Sequence, residues 1–117
     1  MTTINIQIRS KTFTVKFFDN ASSQALMAKM PMTITMSELN GNEKYYHMPN
    51  GLPTNSQHVQ NINTGDLMLY GSDSLVLFYK SFSTSYSYTR LGCIEDVSGL
   101  VNALGNGSVQ ITFSLAL

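Results

Sequence analysis

The sequence predicts a mainly β fold: a closed antiparallel barrel of about eight strands with two short capping helices. Three observations carry this. Apolar residues alternate with polar ones along several short stretches, as Ile4, Ile6 and Ile8 do against Asn5, Gln7 and Arg9, which is the period of a strand with one face on a core. Leu75–Tyr79 is apolar without interruption, lies between Gly71-Ser72-Asp73-Ser74 and a Ser/Thr/Tyr tract, and so reads as a central strand buried on both faces. Helical spacing is confined to two short stretches, around Leu26 and around Leu100.

Taken in order, the Ile4–Ile8 strand turns at Ser10-Lys11 into a second, with Phe13, Val15 and Phe17 on one face. Asp19-Asn20 breaks it, and Ser22 or a neighbour caps a helix in which Leu26 and Met30 stack one turn apart until Pro31 stops it. Met32, Ile34 and Met36 form the inward face of a third strand that reverses at Asn40-Gly41 into Glu43–Tyr46. His47 to Thr64 has no periodicity and reads as a long excursion, the kind of segment that often carries function. Leu67–Tyr70 and Leu75–Tyr79 then make the central hairpin across Gly71. A strand from Tyr86 to Leu91 ends at Gly92. Asp96 caps a helix with Val97, Leu100, Val101 and Leu104 on one stripe, Gly105 closes it, and Val109, Ile111, Phe113 and Leu115 form the last strand.

At 117 residues with 43% hydrophobic content, the chain fits a single domain over 1–117. Charged residues are only 12% of it, so the surface must be mostly Ser, Thr, Asn and Tyr. Seven basic and seven acidic side chains without a run of either sign leave no footprint for a phosphate backbone, and no nucleic-acid partner is expected. The lone Cys93 excludes an internal disulfide and reads as a small buried hydrophobe. No basic start leads into an apolar run, so neither a signal peptide nor a membrane span is expected; the chain reads as cytoplasmic as written, or exported if a leader has been removed. The pattern does not speak to oligomeric state.

The chain also resembles a known family. Phe13 to Met30 looks like the strand-then-helix opening of the cyclophilins, and Tyr88-Thr89-Arg90-Leu91-Gly92, followed by a helix and a last strand, looks like their C-terminal part. Gly65-Asp66, Tyr70-Gly71-Ser72-Asp73 and Phe78-Tyr79-Lys80 are similar to elements of small bacterial cyclophilin-like domains. The resemblance covers nearly the whole chain and implies a cyclophilin-like barrel. Prolyl isomerisation in true cyclophilins relies on an arginine in a Phe-His-Arg triplet. The local counterpart is Tyr46-His47-Met48, where a thioether stands in place of the guanidinium and donates no hydrogen bond. Arg9 reads outward from the first strand, leaving Arg90 as the substitute, and its plainer reading is a strand-end surface cation.

Other constellations read as structure. His47 and His58 lack the further ligands that a zinc site takes, so they read as solvated loop histidines. Asp66 and Asp73 sit at turns, where an aspartate bonds its own backbone. Met27, Met30, Met32 and Met36 have the composition of a cuprous site, but Met30, Met32 and Met36 share faces with Leu26 and Ile34, so packing is the better account. No cofactor or metal is expected. Among Tyr45, Tyr46, Tyr70, Tyr79, Tyr86 and Tyr88 some must face outward, because Tyr86 and Tyr88 alternate with serines; strand formation explains the set more simply than recognition does. The leading expectation is a binding module, not an enzyme, whose groove between the excursion and the central hairpin takes an extended peptide or small ligand on Tyr46, His47, Met48, Tyr70, Phe78 and Arg90. The alternatives are a weak prolyl isomerase using Arg90 and a soft-metal carrier using the methionines.

Overall fold

The computed structural model describes residues 1–116. Its elements run β1 (Thr2–Ile8), β2 (Lys11–Phe17), α1 (Ala21–Met27), β3 (Met32–Leu39), β4 (Glu43–His47), β5 (Gln57–His58), β6 (Asn61–Ile62), β7 (Asp66–Tyr70), β8 (Ser74–Phe78), β9 (Phe82–Ser83), β10 (Ser87–Ile94), α2 (Leu100–Leu104) and β11 (Val109–Leu115). Eight of the strands pair antiparallel in the order β2-β1-β11-β3-β4-β8-β7-β10, and β10 returns to β2 to close the barrel. No helix among the described residues is long and apolar enough to cross a membrane.

The alternation seen in the sequence is what fills the barrel. Ile4, Ile6, Ile8, Phe13, Val15, Phe17, Leu75, Leu77, Ile111 and Phe113 share one interior core. Each large side chain so buried contributes about 1.5–3 kcal/mol relative to exposure. The two helices seal opposite ends. Leu26 of α1 enters the core where β2 leaves the barrel, and Leu100, Ala103 and Leu104 of α2 enter it beside the β1–β2 turn. Met36 is part of the interior core, and Met27, Met30 and Met32 are partly buried against that core.

Leu75–Tyr79 has no polar alternation because β8 is covered twice. Leu75, Leu77 and Tyr79 face the interior, whereas Val76 and Phe78 face outward into a second cluster with Val59, Ile62, Met68 and Tyr88. Much of its cover is the excursion, which is held along its length. Met48 N–H donates to the Asp73 carbonyl at 2.6 Å, Leu52 N–H to that of Ser72 at 2.8 Å, and Asn55 N–H to the Thr89 hydroxyl at 2.9 Å. Ser22 Oγ donates to the Pro53 carbonyl. β5 then pairs with β10, and β6 pairs with β9.

Several expectations need correction. Gly92 does not end its strand: β10 continues to Ile94, pairing with β2 on one side and β7 on the other. A bulge between Arg90 and Gly92 shifts the register, and a Cβ at Gly92 would lie 2.5 Å from the Lys16 carbonyl oxygen, so glycine permits the close approach that joins the barrel. Leu91 O accepts from Phe18 N–H at 2.9 Å and Ser23 Oγ at 2.8 Å, which docks α1 onto the bulge. The N-cap of α1 is Asn20, whose side chain accepts from Ser23 N–H, and the helix ends at Met27, so Met30 lies beyond it.

The second helix is shorter than its stripe suggested. Asp96 accepts from Ser98 N–H at 3.0 Å in a local turn, and α2 starts only after Gly99, leaving Val97 and Val101 exposed. Arg9, expected on an outward strand face, occupies the β1–β2 turn with φ 57°, and its Nε donates to the Ala103 carbonyl of α2 at 2.8 Å.

Candidate functional site

β4 carries the triplet Tyr46-His47-Met48 to its end, and strand alternation separates its members. Tyr46 packs against the interior core and Met48 is buried in it, whereas His47 is exposed on the outer surface, its Nδ1 3.4 Å from Asp73 Oδ2. Phe78 is fully buried in the second cluster, and Tyr70 is half exposed on the outer face. Arg90 is half-buried on that face, and its Nη2 donates to the Val59 carbonyl at 3.5 Å. The outer face therefore holds His47, Tyr70, Phe78 and Arg90, and the barrel interior holds Tyr46 and Met48. Between His47 and Arg90 stand β8 and β7, three inter-strand steps of about 4.8 Å each. Asp66 accepts from Asn63 N–H at 2.8 Å, as a turn aspartate does.

The open concavity on this surface is a cleft of about 350 Å³ crossing the outer face of β3, β4, β8, β7 and the start of β10. Tyr45, Tyr70, Tyr86 and Tyr88 dominate its lining, with Leu39, Val76, Asn40 and Ser74. Their order follows from register. Tyr45 opposes Val76, Tyr70 opposes Ser74, and Arg90 opposes Met68, so the outward residues of adjacent strands abut. Tyr70 meets Tyr86 edge-on at 5.9 Å between ring centroids and Tyr88 at 5.5 Å, while Tyr88 packs edge-on against Phe78 beneath.

One ionisable carboxyl lines the cleft, that of Glu43, and no lysine, arginine or histidine does. Glu43 is half-buried, and its carboxyl forms no hydrogen bond or ion pair among the described residues. Burial, and then the nearby Glu38 charge, push it above the usual carboxylate range. Burial, and then the charge of Glu43, push the Tyr88 phenol up to about 12, so it stays neutral over any ordinary pH.

Behind this surface lies a buried cation that the sequence analysis did not single out. Lys44 points inward, is wholly buried, and donates to Glu38 Oε1 at 2.9 Å, the Gly105 carbonyl at 3.0 Å and the Gly107 carbonyl at 2.6 Å. All three ammonium protons are used, so it serves as a tie between the β3–β4 hairpin and the α2–β11 loop. Its place opposite Leu77, on the inward set with Tyr46, is the only signal that could have found it.

The sequence profile of the cyclophilin-like family matches residues 6–114. The chain belongs to the cyclophilin-like family. A similar fold is seen in the solution structure of a hypothetical protein from Archaeoglobus fulgidus, at 17% identity and a TM-score of 0.66, over 98% of this chain and 95% of that one. No curated protein matches the chain. For a cyclophilin-like barrel, then, membership accounts for the closed sheet and its two helices, and the outer cleft has to be read from its own residues.

Proposed function

We propose that this cyclophilin-like chain is a binding module that holds an extended peptide or small ligand, and that the tyrosine-lined cleft over the central hairpin is where it does so. Of the expected groove residues, Tyr70 lines the cleft and Phe78 supports it from below through Tyr88. The observation that carries the reading is the concentration of exposed apolar surface. Leu39, Tyr70 and Tyr86 are three of the seven large apolar side chains exposed among the described residues, and all three line this one cleft. Tyrosine side chains combine apolar contact with polar anchoring at low entropic cost, as ligand sites require.

Arg90 and Met48 bear on the isomerase alternative. Met48 is in the interior core and offers no donor, and the Arg90 guanidinium is directed to a backbone carbonyl of the excursion. Neither is positioned to favour a twisted prolyl peptide over a planar one. The test of the binding reading is a mixed library of neutral fragments and proline-containing peptides followed by two-dimensional NMR on labelled protein. Ligands are expected to shift the resonances of Tyr45, Tyr70, Tyr86 and Tyr88 together. A library whose hits all map elsewhere on the barrel, or that gives none, defeats it.

A further inference from the structure

We infer that the cleft selects a small organic cation carrying an alkylated ammonium group, with the rings of Tyr45, Tyr70 and Tyr86 as its walls, Tyr88 beneath them and Glu43 as its counter-ion. This rests on the binding reading and adds the chemistry of the ligand.

Charge complementarity points to a cation. The lining holds one carboxylate and no positive side chain, and it is rich in tyrosine, whose ring faces carry negative electrostatic potential; Tyr45, Tyr70 and Tyr86 are the accessible ones, with Tyr88 buried beneath them. Glu43 is half-buried without a partner, an arrangement that costs free energy until an opposite charge is brought beside it. The nearest cation in sequence, Lys44, lies on the other face of β4 and is fully committed to Glu38, Gly105 and Gly107, so the protein itself does not supply that charge.

The balance of ring faces over acceptors selects among cations. A primary ammonium is strongly hydrated and needs three acceptors to replace its water. An alkylated ammonium is bulky and weakly hydrated, and it gains from aromatic faces with a single anion at one side. A tyrosine-rich lining with a single carboxylate matches the second description. A volume of about 350 Å³ is at the small end of ligand sites, which favours a free small molecule over an extended chain.

The experiment titrates the protein with tetramethylammonium and, separately, with the neutral tert-butanol of similar size, following the tyrosine resonances by NMR. Tetramethylammonium is expected to produce saturable shifts at Tyr45, Tyr70, Tyr86 and Tyr88 and to bind about tenfold more tightly than tert-butanol. Glu43→Gln removes no internal hydrogen bond and should weaken the cation several-fold while leaving tert-butanol unchanged. Tyr86→Leu, at a site 60% exposed, keeps apolar bulk, removes the ring face and should do the same. Equal affinity for the two probes, no shift with tetramethylammonium, or indifference of the cation to Glu43→Gln overturns the inference. If neutral fragments or peptides still shift the cleft resonances, only the cation preference has failed. If nothing shifts them, the binding reading has failed as well.

Discussion

The Tyr79 hydroxyl donates to Glu38 Oε1 at 2.7 Å, and the same oxygen receives Lys44 Nζ at 2.9 Å. Gly41 N–H takes the other carboxylate oxygen at 2.8 Å, and the Lys44 ammonium also lies 5.6 Å from the centre of the Tyr79 ring. Burial pushes the Glu38 carboxyl up, but the Tyr79, Lys44 and Gly41 donors outweigh it and hold the group below the usual carboxylate range.

Replacing Lys44 with Met should therefore cost about 3 kcal/mol or more in denaturant unfolding, because it removes the partner of two carbonyls and a carboxylate at once. Glu38 also sets an acid limit. A carboxyl depressed in the folded state stabilises fully above its unfolded pKa of about 4.3, and that contribution is lost as pH falls through the lower folded value. In Tyr79→Phe one of the depressing donors is gone, so Glu38's stabilising contribution should be smaller and its loss should be complete at a higher pH. An unfolding midpoint with the same acid dependence as the parent would remove the network from the account.

Leu77 is fully buried in the interior core and pairs with both Leu67 and Lys44 across β8. Leu77→Ala should lose about 2–5 kcal/mol by the same measurement. A loss below about 1 kcal/mol would mean that β8 is not a central strand.

Gly92→Ala places a methyl within 2.5 Å of the Lys16 carbonyl oxygen and 2.8 Å of the Phe17 ring, and should destabilise by about 2 kcal/mol or more. Gly107 provides the control. An added Cβ there meets nothing within 4 Å, so Gly107→Ala should be neutral or slightly stabilising. Equal effects from the two substitutions would contradict the tight join.

Much of this fold is legible in the sequence because each barrel strand has one face on a core, and period two reports that directly. Leu75–Tyr79 is legible for the complementary reason, since loss of alternation reports two covered faces. β5, β6 and β9 are not, because two-residue strands such as Gln57–His58 carry no period and exist only through their partners. The Asp96 capping signal misleads because Asx turns and helix caps use the same side-chain acceptor, and only the backbone that follows distinguishes them. Within the candidate site, Tyr70 and the serine-flanked Tyr86 and Tyr88 announce an outward aromatic surface. What joins them to Tyr45 and Glu43 is the β4–β8–β7 register, which is a property of pairing and not of any one segment. The Tyr46-His47-Met48 triplet is split between the two faces for a local reason: three consecutive residues at a strand end point to alternate sides.

Glu43→Gln should raise stability at neutral pH. A carboxyl whose folded pKa is raised disfavours the folded state above that pKa, and burial and Glu38 are the causes here, with Tyr88 the phenol that senses its charge. The gain should vanish below pH of about 4, where the carboxyl is protonated in both states. Thermal unfolding of the two proteins at pH 7 and pH 3 checks this, and a destabilised Glu43→Gln at pH 7 would show that the carboxylate has an internal partner.

In a proline-peptide isomerisation assay the chain should remain close to the uncatalysed rate. One preorganised donor is worth about 3–4 kcal/mol, roughly a hundredfold to a thousandfold, and Met48 supplies none. Turnover abolished by Arg90→Ala would refute this and make Arg90 the missing donor.

A row of unpaired backbone groups along a sheet edge is a template on which another chain can build, and aggregation commonly starts there. Proteins often guard such edges with charge, which this chain has little of: 12% of its residues, summing to zero. Most of its long strands instead find partners on both sides, leaving as open edges the two-residue β5, β6 and β9, the start of β2, which carries Lys11, and the start of β3, which β4 does not reach. Resistance to edge-to-edge association is thus supplied by topology, and it passes through the one residue without a side chain at the point where β10 meets β2.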